Sequence, residues 1–354
     1  MSPALVLALA VCASPPDPAS LPPLSSPSPP PRVSPVVLVQ SDWVTYAGRT
    51  NAPAAGDPVD HAGFRLRRAR LGGQAAAENW RARLVFETFA DGDVGRAVGT
   101  PPSPRVTEAF VGWGRGKRLR VDAGALRVPF SLSRQTDEAD LPLPERAAIV
   151  QASAPEFRAG AAISGDLGHF QYAAGVYDAA PQLDAAFQSG GVLYAGRIAA
   201  EPVGPVGVAP WLRPSGDPWY GWWRFAIGAS AFYESAFGLD NWGAGGDAQL
   251  QWGAFSVAAE VLWVRRLPQR IGFYVEPGWF LVRDRLFVAA RFESYESTLD
   301  QPDPDDAIAI IGGLTYFIPA TPLRLSAAYA HRRERTPHHR TNDWALVRAT
   351  LALF

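Results

Sequence analysis

The chain has 354 residues, of which 47% are apolar and 19% charged, with a formal net charge of −1. That balance excludes an intrinsically disordered chain, and it excludes the strongly basic face that a nucleic-acid partner requires. No apolar run approaches the roughly 18 residues of a membrane-spanning helix, so a helical membrane protein is excluded as well.

At the amino end, Ala4 to Ala13 is the longest apolar run. It has the form of a secretory signal core, with Val11 and Ala13 as the small residues ahead of cleavage, although the usual basic head is missing. Residues 1–13 are therefore read as a signal peptide. Cys12 is the only cysteine and falls inside it, so the mature chain forms no disulfide. A lipid-attachment cysteine normally follows Gly, Ala or Ser; Val11 stands there instead, which argues against lipidation. Residues 14–35 are dense in Pro and Ser and almost uncharged, predicting an extended, polyproline-like periplasmic tether outside the fold.

Residues 36–354 hold about sixteen segments of about ten residues with strand character, the length a tilted strand needs to cross the hydrocarbon layer. Trp80, Ala82, Leu84 and Phe86 alternate with Arg81, Arg83 and Glu87. Ala248, Leu250 and Trp252 oppose Asp247, Gln249 and Gln251, and Phe255, Val257, Ala259, Val261 and Trp263 oppose Ser256 and Glu260. Leu286, Val288, Ala290 and Phe292 oppose Arg291 and Glu293, and Leu323, Leu325, Ala327 and Tyr329 oppose Arg324 and Ser326. A period of two places one face in an apolar medium and the other in a polar one.

The junctions separate a membrane barrel from a soluble sheet. Gly114–Arg118, Ser164–His169, Gly253–Ala254, Arg283–Arg285 and Ile318–Pro322 read as short inner turns. Ala47–Gly63, Ala90–Pro104, Arg127–Glu156, Glu296–Asp306 and His331–Thr341 read as longer outer loops. Glu201–Trp222 breaks the rhythm, being long where a short turn belongs; either the strand count is off there or the turn carries an insertion. The twelve tryptophans, many near segment ends, suit aromatic girdles at the two interfaces, with core packing accounting for several. The chain ends NDWALVRATLALF, an aromatic-terminated closing strand. Arg348 and Thr350 fall in phase with Phe354, so a bulge near Thr350 is expected to keep them out of lipid.

FRLRRARLGG at Phe64–Gly73 and RVTEAFVGW at Arg105–Trp113 are followed by Gly124-Ala125-Leu126 running into Arg127-Val128-Pro129-Phe130. Leu143-Pro144-Glu145-Arg146 and Arg158-Ala159-Gly160 come next. In this order the pieces resemble the phosphate-selective porin O and P family. The resemblance implies an all-β, sixteen-stranded antiparallel transmembrane barrel of a Gram-negative outer membrane, a homotrimer, and a long third outer loop, Arg127–Glu156, folded into the lumen. Family members that select phosphate use a ladder of arginines with a cluster of lysines. Lys117 is the only lysine here, so phosphate is not carried over as the substrate.

A pore selects by its width and by the sign of the side chains at its narrowest ring. Arg65, Arg67, Arg68 and Arg70 occupy both parities of the second strand. The inward pair is read as Arg68 and Arg70, because Ala69 and Leu71 then face lipid. Arg81, Arg83, Arg120, Arg291 and Glu293 complete the expected pore lining. Arg127, Arg134, Asp137, Glu138, Asp140, Glu145 and Arg146 make up the expected constriction loop, whose acidic tip would set a transverse field against the arginine wall. In the alternative reading these arginines pair with Glu87 or Asp122 and simply fill the lumen.

Catalysis finds little support: no histidine stands two residues from a serine on a strand, and His338-His339 lacks a third ligand nearby. The expectation is thus a diffusion porin without cofactor, metal or nucleic acid. It would contact outer-membrane lipid and lipopolysaccharide and pass small polar solutes with a weak anion preference. Its rivals are a plugged barrel with a structural or adhesive role and a periplasmic β-sandwich.

Overall fold

The computed structural model describes residues 31–46, 62–87, 105–179, 191–209, 211, 221–236, 238–266, 269–299, 306–334 and 343–353. The first strands are β1 (Arg32–Tyr46), β2 (Gly63–Ala77), β3 (Trp80–Glu87), β4 (Arg105–Arg115), β5 (Leu119–Arg127), β6 (Phe157–Asp166), β7 (Phe170–Asp178) and β8 (Val192–Ala200). There follow β9 (Arg224–Ala236), β10 (Leu239–Trp252), β11 (Phe255–Arg265), β12 (Gln269–Val282), β13 (Leu286–Glu296), β14 (Ala307–Phe317), β15 (Leu323–Glu334) and β16 (Trp344–Leu353). Each pairs antiparallel with its chain neighbours, and β1 pairs with β16 from Val37↔Leu353 to Tyr46↔Trp344, closing the barrel. Closure is what lets strands of this composition lie in lipid, since no backbone donor or acceptor is left on an open edge.

The two faces have the polarity of a membrane barrel, inverted relative to a soluble protein. Trp252, Val261, Trp263, Phe273, Phe292, Ile310, Leu325 and Val347 are exposed, whereas Asp247, Gln249, Gln251, Glu260, Arg291, Glu293, Ser326 and Arg348 are buried inside. Trp80, Trp113, Trp223, Trp252 and Trp279 ring the rim that carries the chain termini, with Trp223 and Trp252 stacked at 5.0 Å. Trp43, Tyr233, Trp263 and Tyr329 ring the opposite rim. Phe292→Arg, near the middle of β13, is expected to cost about 2–4 kcal/mol. Denaturant unfolding in lipid vesicles reads this directly, and an unchanged midpoint would contradict an apolar surrounding.

Short turns at 116–118, 167–169, 253–254, 283–285 and 318–322 mark the inner rim as expected, and a further one at 78–79 joins them. The connection from β8 to β9 is long, so the strand count holds and the irregular junction is an insertion, part of which folds inward. On the outer side the junctions 237–238 and 266–268 are short, so the alternation of lengths is incomplete. Most of the other expected outer loops, at 47–61, 88–104, 300–305 and 335–342, lie outside the described residues, as do residues 1–30 with the signal and most of the tether.

Three details depart from expectation. Arg32–Pro35, read as the end of the tether, is strand, because β2 continues to Ala77 and its inner end pairs with these residues. The register of β16 is unbroken on both sides, so no bulge occurs near Thr350. Instead Val347, Ala349 and Leu353 face out, Arg348 and Thr350 face in, and the lipid-facing phase ends on Leu353 rather than Phe354. Lastly, β2 shifts register against β1 between Gln40 and Ser41, pairing Gln40 with Arg68 and Ser41 with Leu66. That bulge leaves Arg67 and Arg68 on the same side, so Arg65, Arg67, Arg68 and Arg70 all turn inward, where strict alternation allows two.

Candidate pore and constriction loop

Residues 128–156 leave β5 at the outer rim and fold into the lumen through α1 (Leu132–Gln135), a 3-10 turn (Glu138–Asp140) and α2 (Ala148–Ser153). Local chemistry shapes these pieces: Ser131 accepts a hydrogen bond from the Arg134 N–H at 3.3 Å, and Asp137 accepts one from the Ala139 N–H at 3.2 Å. Such short helices do not persist alone. The wall holds them. Phe130 is fully buried and meets Phe232 edge to face at 4.8 Å, joining Leu126, Tyr177, Leu193, Leu262 and Val264. Ile149 sits over Gly272 and Leu143 over Gly313, where an added Cβ would come within 2.7 and 2.6 Å.

Charge fixes the loop more tightly still. Glu145 accepts from Arg67 at 3.0 and 3.2 Å and from Arg348 at 2.6 Å, and Arg65 lies 3.7 Å away. Arg348 also grips Asp42 of β1 at 2.6 and 2.7 Å, so the seam that closes the barrel and the loop share one buried cluster. Glu138 meets Arg70 at 2.7 Å and Arg68 and Arg146 at 3.1 Å each. The wall also holds the loop's backbone: Arg270 donates to Ala152 O at 2.7 Å, Arg291 to Glu145 O at 2.8 Å, and Arg348 to Pro144 O. Glu260 accepts the Leu132 and Ser133 N–H groups at 2.8 and 3.3 Å. Burial by itself raises the pKa of Glu145, but Arg67, Arg348 and Arg65 outweigh it and hold the group well below the usual carboxylate range. Glu138 is lowered in the same way against its own burial by Arg68, Arg70 and Arg146. Asp140 goes up, from burial and then the neighbouring Asp137.

The expected site residues therefore separate into two groups. Arg68, Arg70, Arg291 and Glu293 face inward as read, but they lie behind the loop: Arg68 and Arg70 contact Glu87 and Glu138, and Arg291 contacts Glu276 and Glu293. The loop's acidic groups touch the arginine wall instead of opposing it across water, so the expected transverse field gives way to direct ion pairs. Arg127 pairs with Asp137 at 3.3 Å and Arg134 with Glu156 at 3.6 Å, while Arg146 is buried against Glu138 and the Thr136 carbonyl. On the side the loop leaves uncovered stand Arg81, whose side chain is 38% exposed while bound to Asp122, and Arg83 with Glu108. Arg120 is exposed, and has no ion pair among the described residues. Asp42 has no signal in the sequence, and Glu260 and Arg348 stand out there only by their place in the strand alternation; Glu87 and Asp122, the arginine partners of the alternative reading, do pair with Arg68 and Arg70 and with Arg81. Among the described residues no group of three or more His, Cys, Asp or Glu is placed to hold a metal, and His338 and His339 lie outside them.

A closed sixteen-stranded barrel, oil-facing outside, polar within and narrowed by its third outer loop, defines a porin-class protein of the Gram-negative outer membrane. The model of the phosphate-selective porin O and P family matches residues 46–212, the stretch that carries the motifs quoted for the resemblance. No curated protein matches it in sequence. Among solved structures it is similar to OprB of Pseudomonas putida, at 10% identity and a TM-score of 0.60 over 91% of this chain and 94% of that one. OmpT of Vibrio cholerae, in a trimer form, gives 11%, 0.58, 91% and 99%. The outer-membrane channel DcaP of Acinetobacter baumannii gives 11%, 0.56, 91% and 97%. At these identities the likeness is one of fold.

Proposed function

We propose that the protein is a passive diffusion channel for small hydrophilic solutes with a weak preference for anions. The observation that carries this is the division of the arginines. Those on β2, β12, β13 and β16 are bound to the loop, whereas on the uncovered side Arg120 stands without an ion pair among the described residues and raises the local concentration of anions, beside the carboxylate-paired Arg81 and Arg83. Small inward residues toward the inner ends of β6 and β7, Ser164 and Ala173, line an open cavity there, whereas Gly160 and Gly175 make room for the Tyr177 ring. Residues 1–13 would direct export. Assembly as a homotrimer is part of the proposal, consistent with the Ala- and Gly-rich outer face of β2–β8.

Reversal potentials across planar bilayers under a salt gradient test this reading. A modest anion preference is expected, reduced by Arg120→Ala and Arg81→Ala; a clear cation preference overturns it. Adding phosphate on one side reads whether phosphate is among the permeant anions. Nearly complete burial of the loop favours a second reading, a barrel closed by its own interior and serving as a surface structure. Such a barrel would give no stepwise current.

A further inference from the structure

We propose that residues 201–209 and Trp211, from the connection between β8 and β9, form a second constriction at the inner mouth, confining passage to a slot lined by Lys117, Arg120 and Arg197. This rests on the channel reading and adds the place where solute leaves the barrel. Every other inner connection among the described residues is a short turn, yet this one turns back into the lumen.

Glu201, buried at the end of β8, accepts the Val206 and Gly207 N–H groups at 2.9 and 2.7 Å, which folds residues 201–207 into a compact hook. Arg224 at the start of β9 is 1% exposed and donates to Pro205 O at 3.2 Å, holding the hook from its other end. Val206 is fully buried. Beyond the hook, Val208 O accepts a hydrogen bond from the Thr136 hydroxyl at 2.9 Å, tying the insertion to the constriction loop. Trp211 then reaches the far wall, 4.7 Å from Phe287 and 6.1 Å from Phe317, at the inner ends of β13 and β14. A segment rooted between β8 and β9 thus crosses the mouth to β13 and β14, touching the loop on its way.

What it leaves is a cavity of 420 Å³ against β5–β8, bounded by Pro129 and Gln135 of the loop and Val208 of the insertion. Its wall carries Lys117, Arg120 and Arg197, the last bound to Asp247, with Asp166 as the acidic group lining the same cavity. The chain's only lysine and an exposed arginine without an ion pair among the described residues therefore meet at a place where insertion and loop both narrow the passage. A slot of this charge favours small carboxylate- or phosphate-bearing solutes over cations of the same size.

The test uses the full-length protein in planar bilayers, with heat-modifiable gel mobility confirming barrel closure. Residues 202–221 are replaced by a Gly-Asn-Gly turn, and Trp211→Ala is made separately. Single-channel conductance is expected to rise at least about twofold on excision and measurably in Trp211→Ala, because width limits flux. The pair Lys117→Glu and Arg120→Glu is expected to lower anion preference in the intact protein and to do much less in the excised one. Unchanged conductance in a closed, excised barrel overturns the inference and leaves the channel reading standing. Should the excised chain fail to close, unchanged conductance in Trp211→Ala overturns it equally. A wild-type protein without steps whose excised form conducts would sink free diffusion and uphold the insertion as the closure; silence in both would sink both.

Discussion

Glu145→Gln is expected to release the constriction loop and to cost about 3–5 kcal/mol, because it removes from a buried site the anion shared by Arg67, Arg348 and Arg65 and leaves Asp42 to Arg348 and Arg65. Thermal unfolding in detergent reads the loss, and bilayer recordings should show larger, noisier steps. Glu156→Gln is the internal control: the Glu156 side chain is 29% exposed and Arg134 lies 3.6 Å away, so its loss should cost less than that of Glu145, which answers three arginines. Equal effects for the two would mean that the buried cluster does not hold the loop. The same cluster fixes the sign of the pH response. Carboxylates held below their unfolded value contribute fully above that value, about 4.3 for Glu, and lose their contribution as pH falls through the folded value. Burial opposes the ionised form of Glu156, but chiefly Arg134 holds it down to about 2, and Glu145 is likewise lowered against its own burial. Conductance steps should therefore keep their size from pH 7 to about 4.3 and become unstable only on further acidification.

Phe130→Ala is expected to cost about 3–5 kcal/mol through the cavity it leaves beside Phe232 and Leu262. Its effect should differ in kind from that of Glu145→Gln. The ion pairs around Glu138 and Glu145 remain, so the loop loosens at its start on the β9–β11 side while its middle stays fixed to β2 and β16. A drop in unfolding midpoint with nearly unchanged conductance is the expected combination. If conductance rises as much as in Glu145→Gln, the apolar contact and the charge cluster act as one cooperative latch.

Taken together, these variants separate two ways of using arginine. On β2 and β16 the guanidinium groups are paired with buried carboxylates, a geometry that gives fixed position more than it gives attraction for a passing ion. On β5 the same side chain stands without a partner and faces water. The family resemblance drew attention to the arginine-rich motif at Phe64–Gly73, yet that motif is where the structure attaches the loop, and the more exposed positive charge sits on β5 and the turn before it.

The strands, their facing and most inner turns were legible in the amino-acid sequence, because the alternation of Leu250, Trp252, Val257 and Phe292 with Gln249, Gln251, Glu260 and Glu293 is a local pattern with a period of two. The inward position of residues 127–156 was implied by the family resemblance alone. Tertiary structure alone decided which arginines meet water. The bulge that turns Arg67 and Arg68 to one side is a register shift between two strands, and Glu145 reaches Arg348 across 203 positions of sequence. Pairings of that range depend on how the sheet closes, and spacing along one strand carries no record of it.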